Sequence, residues 1–228
     1  ILAWLFIKKK QYKACILSGV LTVVISVISL YFLHGGIVEN FHGMVREMRH
    51  FTTHYTLYEQ TRNDGTLFDV GFNGLSLFGV SRHIGHFIPI NISASTGFMI
   101  FNIFAIVILP FVVYYVLKFE NILWKQVFML FSFVILFMGT SFDYKMLTLL
   151  LSLFLFINTQ SSNFDKKYCI LFAILFVPKH LNGSINGYGF SIDDTFDALL
   201  IAYINFLIIR EGLTGKTLFR RKLNIIQS

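Results

Sequence analysis

The hexapeptide Ser141-Phe142-Asp143-Tyr144-Lys145-Met146 places an acid and a cation two residues apart between two apolar runs. At a membrane surface both charges are costly unless paired or solvated. Asp143 has the chemistry to position a substrate hydroxyl, to act as a general base or to orient Lys145. Lys145 can hold a phosphate as a point charge. The same residues would also serve as caps on two helix ends at a wet interface. Asn73, Ser76, Arg82 and His83 form a second group. Arg82 and His83 beside a helix end suit an anionic lipid head group or a pyrophosphate. Alternatively they anchor the helix at the interface, with the Arg snorkelling.

Lys179-His180 follows Pro178, and Asp193, Asp194 and Asp197 come soon after. These acids can pair with Lys179, hold a divalent cation or cap a helix that begins beside them. The cap is the reading preferred here. His50/His54 and His83/His86 have ligand spacing on a helix face, but no HExxH arrangement or nearby cysteine accompanies them, so no metal site is expected. The chain has no P-loop, no GxGxxG, no GxSxG and no CxxC. ATP hydrolysis, nicotinamide chemistry and serine hydrolysis therefore lack support, and no cofactor is called for.

These residues need elements to hold them. Hydrophobic residues make up 55% of the chain and charged ones 14%, with a mean hydropathy of +0.67. That excludes disorder and points to a membrane protein. The net charge of +7 does not signal nucleic-acid affinity, because most of it flanks apolar runs. Lys8, Lys9, Lys10 and Lys13 precede Ala14–Leu33. Lys118 and Lys125, then Lys166 and Lys167, separate later runs. Arg210, Lys216, Arg220, Arg221 and Lys222 close the chain. Together these are 13 of the 19 Lys and Arg residues. Cationic segments stay on the cytoplasmic side and favour anionic lipid. The other six, Arg46, Arg49, Arg62, Arg82, Lys145 and Lys179, fall on the outer side.

A hydrocarbon core of about 30 Å needs roughly 20 apolar helical residues. Ala14–Leu33 and Phe98–Leu117 meet that, the latter with Pro110 as a kink. Gln126–Gly139, Leu147–Asn158, Tyr168–Val177 and Phe196–Ile209 are shorter but alternate with charge in the right register. The expected fold class is all-α: a polytopic transmembrane helix bundle of about six spans plus a truncated first one. Residues 1–228 form one membrane-embedded domain, with His34–Gly97 extracytoplasmic and the polar tail Glu211–Ser228 cytoplasmic and loosely ordered. The chain opens at Ile1, and Ile1–Ile7 meets Lys8–Lys10 like the end of a helix in progress. We read it as the C-terminal part of a longer protein. Cys15 and Cys169 lie near cytoplasmic ends and are expected reduced.

Within the outer segment, Ile37, Phe41, Met44, Val45, Met48, Phe51, Tyr55 and Tyr58 recur at helical spacing, opposite Glu39, His42, Arg46, Glu47, Arg49, His50 and His54. This predicts an amphipathic helix in the outer interface. Gln60–Gly65 reads as a turn. Asn73–His86 reads as a second short helix dipping into the membrane.

Three features together suggest a family. The outer segment ends in Asn73-Gly74-Leu75-Ser76-Leu77-Phe78-Gly79, Ser141–Lys145 opens an apolar helix, and a later span ends in Pro178-Lys179. The pattern resembles, over about Ile37 to Ile209, the C-terminal half of the family 87 glycosyltransferases. These are polyprenol-phosphate-mannose-dependent mannosyltransferase-like enzymes with a C-type fold. The chain departs at the first motif, where the family usually has one residue between Asn and Ser. The resemblance implies transfer of a mannose or other hexose from a polyprenyl-phosphate donor to a glycolipid or cell-envelope glycan at the outer face of the cytoplasmic membrane. It implies substrate contacts from Asn73, Ser76, Arg82, His83, Asp143, Tyr144, Lys145 and Lys179, with the catalytic acid upstream of Ile1. An O-antigen ligase or polymerase, or a non-catalytic transporter or subunit, stands as the alternative.

Overall fold

The computed structural model describes residues 10–32, 35–51, 75–85, 94–137, 143–158, 166–179, 181–185 and 188–226. Among them are eight α-helices: α1 (Tyr12–Tyr31), α2 (Gly36–Phe51), α3 (Leu77–Gly85), α4 (Ala94–Lys118), α5 (Leu123–Phe137), α6 (Leu150–Ile157), α7 (Lys166–Phe176) and α8 (Ile192–Ile226). A 3-10 helix, Asp143–Leu149, runs directly into α6. The helical class is as expected, with one departure. Strands β1 (Asn182–Ile185) and β2 (Tyr188–Ser191) pair antiparallel, with Asn182 opposite Ser191. The sequence between them is Asn186-Gly187, the dipeptide that two-residue hairpins favour.

α1 has 20 residues and the Thr96–Lys118 stretch of α4 has 23; both are long and apolar enough to cross a membrane. α4 continues unbroken through Pro110. α5, α6 and α7 have 15, 8 and 11 residues, too few to cross about 30 Å alone. The tail is a correction to the sequence reading. α8 does not stop near Ile209 but runs to Ile226. Leu, Lys and Arg propagate a helix well, and no proline interrupts them. Outside the described residues lie Ile1–Ile7, the turn at Gln60–Gly65, Asn73, and the histidines 54, 86 and 180.

No residue of α1 is buried. It meets α2, where Asn40 Nδ2 donates to the Leu30 carbonyl at 3.0 Å. A helix apolar all round whose residues all stay unburied among the described residues suits a lipid environment. The core lies elsewhere. α5 packs against α3, α4, α6, α8 and the 3-10 helix, and α7 packs against α8. Trp124 meets Phe156 and Tyr168 edge to face at 5.1 and 4.9 Å, geometry that adds about 0.5–1.5 kcal/mol per pair beyond burial. α8 turns Asp194, Asp197, Ala198, Ile201, Ile204 and Ile208 inward at helical spacing.

α5 and α8 run antiparallel. Lys125 meets Glu211 near one end, and Ser132 meets Asn205 about two turns on. α7 is antiparallel to α8 as well, because Lys167 reaches Glu211 and Lys179 reaches Asp197. Two ionic layers on α8, at Asp197 and Glu211, therefore lie about 21 Å apart at 1.5 Å per residue. Between them the buried face is apolar except for Asn205.

Candidate functional site

At the Asp197 end, Pro178 follows the last turn of α7 and Lys179 turns back toward α8. Lys179 Nζ donates to Asp197 Oδ1 at 2.6 Å and to the Leu175 carbonyl at 3.3 Å. It also lies 5.7 Å from the centre of the Phe196 ring. The side chains of Lys179 and Asp197 are only 13% and 11% exposed. Two charges so placed lose most of their hydration, and their attraction must offset that. An ammonium has three donors. Among the described residues two of them are engaged. Asp194, one turn before Asp197, is also buried. Asp193 and Asp194 occupy the first turn of α8 as the cap reading expected, with the Asp194 N–H donating to Asp193 Oδ1 at 3.2 Å.

Ser76 is fully buried and caps α3, its Oγ accepting the Gly79 N–H at 3.1 Å. Its hydroxyl oxygen therefore already serves the fold. Arg82 and His83 lie on α3, which packs against α5 and α8. Asp143, Tyr144 and Lys145 are the first three residues of the 3-10 helix. Because α5 is antiparallel to α8, its Phe137 end faces the Asp197 level, and the 3-10 helix follows that end in sequence. The structure thus joins Lys179 to Asp197 directly and places the other described candidates, by backbone, on elements packed around α5 and α8. Among the described residues no three His, Cys, Asp or Glu groups gather to hold a metal ion.

No family model, curated protein or solved structure matches the chain.

The opposite end is organised by a residue that the sequence reading assigned to a loose tail. Glu211 accepts hydrogen bonds from Lys125 Nζ at 2.8 Å, from Lys167 Nζ, and from the Tyr168 hydroxyl at 2.9 Å. Lys125 also lies 5.6 and 5.4 Å from the rings of Trp124 and Tyr168. Nearby, Glu120 Oε1 accepts the Asn121 and Ile122 N–H groups, both at 2.8 Å, as α5 begins. Burial pushes the Glu211 carboxyl up. The hydrogen bonds from Lys125 and Lys167, the charge of Lys125 and the Tyr168 hydroxyl outweigh it and hold the group below its ordinary 4.5. A depressed carboxyl stabilises the fold above its unfolded pKa and loses that contribution as pH falls through the folded value. The detergent-solubilised protein should therefore lose thermal stability below about pH 4.5. Glu211→Gln should weaken that acid dependence. An unchanged profile in the variant would remove Glu211 as its source.

Halfway along, Ser132 and Asn205 meet. Asn205 Nδ2 donates to Ser132 Oγ at 2.7 Å and to the Ile201 carbonyl at 3.0 Å. Sequence reasoning missed this pair. Its only signal was a single Ser and a single Asn inside two apolar runs, and matching them requires the α5–α8 register.

Proposed function

We propose that the chain is part of a multi-pass membrane enzyme that transfers a sugar from a polyprenyl-phosphate donor to a glycolipid or cell-envelope acceptor. Lys179 carries this reading: it is a desolvated ammonium held by Asp197, at the end of the bundle where the 3-10 helix bearing Asp143 and Lys145 begins. A cation fixed in that way can hold a donor phosphate and stabilise its growing negative charge as the sugar leaves. The motif resemblance assigns Arg82, His83, Asp143, Tyr144 and Lys145 to donor and acceptor contacts, with the Asp143 carboxylate suited to an acceptor hydroxyl rather than to the phosphate.

In this reading about six segments cross the bilayer. α5, the 3-10 helix with α6, and α7 cross as short spans whose polar ends sit at the two ionic layers. The end with Glu211, Lys125 and Lys167 faces the cytoplasm, as its excess of cations favours. The end with Lys179 and Asp197 faces outward, where an outer-leaflet donor is presented.

The test is sugar transfer in isolated membranes. Asp143→Asn and Lys145→Ala should each lower transfer at least about tenfold, the loss of roughly one charge-assisted contact in the transition state, with protein level unchanged. Full activity in both variants would take this motif out of the site. A product longer by a whole glycan rather than one sugar would point to a ligase or polymerase.

A further inference from the structure

A cavity of about 280 Å³ lies between α3, α4, α5 and α8. Leu77, Val112, Met129, Phe133, Ala202 and Phe206 are among its walls, and its polar groups are Ser132 and Asn205. Those two hydrogen-bond each other, so the cavity offers no charged group to a soluble metabolite. At about 30 Å³ per water-sized group, its volume matches roughly nine methylenes, part of one hydrocarbon chain.

What borders the cavity indicates what enters it. Phe206, in its wall, is 57% exposed. On α4, Val107 and Phe111 flank the wall residues Ile108 and Val112 and are 53% and 69% exposed. The cavity thus borders the same apolar surface that α4 presents to its surroundings. At the Glu211 end, Arg210 follows the wall residue Ile209 and lies one helical turn beyond Phe206, exposed. Glu211 is the acid nearest Arg210 in sequence, and its charge is taken up by Lys125 and Lys167. Arg210 therefore meets no competing carboxylate from it.

We propose that this cavity binds one acyl chain of an anionic phospholipid, whose phosphate lies at Arg210. The occupant is a lipid of the leaflet next to the cationic end. The site is separate from the Lys179 end and stands or falls independently of the transferase reading.

The test uses the full chain in vesicles doped with phosphatidylglycerol carrying a diazirine on one acyl chain, with phosphatidylcholine and polyprenyl phosphate probes in parallel. Photolabelled peptides are then mapped. The expected result is labelling by the phosphatidylglycerol probe on the α5 and α8 segments that line the cavity. Ala202→Phe, which fills the space, should abolish it. Arg210→Gln lies outside the core and should lower it about fivefold, the worth of one cation near a membrane surface, leaving phosphatidylcholine labelling unchanged. Equal labelling by phosphatidylcholine, labelling by polyprenyl phosphate in place of phosphatidylglycerol, or no change in Arg210→Gln would each overturn the assignment.

Discussion

Asp197→Ala should destabilise the protein by about 3–5 kcal/mol, because it leaves the Lys179 ammonium buried without its counter-charge. The residue is 8% exposed and its partner's side chain 13%, so water cannot replace the lost carboxylate cheaply. Thermal unfolding in mild detergent reads the effect directly. The double variant Lys179→Met/Asp197→Leu removes both charges and fills the space with apolar atoms. It should recover most of the lost stability, since a buried pair is roughly matched by a well-packed apolar one. The double variant also separates structure from chemistry. If Lys179 holds a donor phosphate, the refolded double variant stays inactive in sugar transfer. If the pair serves only the fold, activity returns with stability. An Asp197→Ala protein as stable as the parent would mean that the ion pair contributes nothing net.

Gly212→Ala should cost up to about 2 kcal/mol net: forcing an extra methyl into a packed contact costs about 1–3 kcal/mol, and the roughly 1 kcal/mol by which alanine exceeds glycine inside a helix offsets part of it. Tyr115 on α4 donates its hydroxyl to the Ile208 carbonyl of α8 at 3.0 Å and approaches the Ile209 carbonyl at 3.4 Å. A helix carbonyl points along the axis toward the residue four positions on, which here is Gly212. A side-chain carbon at that position would run into the Tyr115 hydroxyl. Tyr115 has little room to retreat: it is 8% exposed and stacks on Phe119 at 5.9 Å. Tyr115→Phe alone should cost about 1 kcal/mol, the net worth of one hydrogen bond. Combined with Gly212→Ala it should cost less than the sum of the two, because the hydroxyl that clashes is gone. Strict additivity in that double-mutant cycle would place the clash elsewhere.

Much of the helical layout was legible without coordinates. Ala14–Leu33, Phe98–Leu117, Gln126–Gly139 and Tyr168–Val177 lie within a few residues of α1, α4, α5 and α7. Apolar runs bounded by Lys are local signals. Ile37–Phe51 showed the helical spacing that α2 carries, and Leu77–Gly85 lay inside the short helix expected over Asn73–His86. The hairpin before α8 was missed although Asn186-Gly187 stood in its place. Two strands of four residues give too little alternation to rise above the helices around them. The tail was misjudged because polarity was taken as looseness, whereas helix propagation depends on backbone propensity and a preceding helix to extend.

For the candidate site, the sequence by itself determined which charges had to be explained: Lys179, Asp197 and the acid–cation pair in Ser141–Lys145, each isolated beside an apolar run where hydration is scarce. It also determined the apolar belt and the cationic end. The tertiary structure decided the partners. Lys179 chose Asp197 over Asp193 or Asp194, Glu211 drew in Lys125 and Lys167, and Ser132 found Asn205 from 73 residues away. Those choices depend on the relative register of antiparallel helices. Register is fixed by side-chain packing between segments distant in sequence, and no local pattern of charge or hydropathy encodes it.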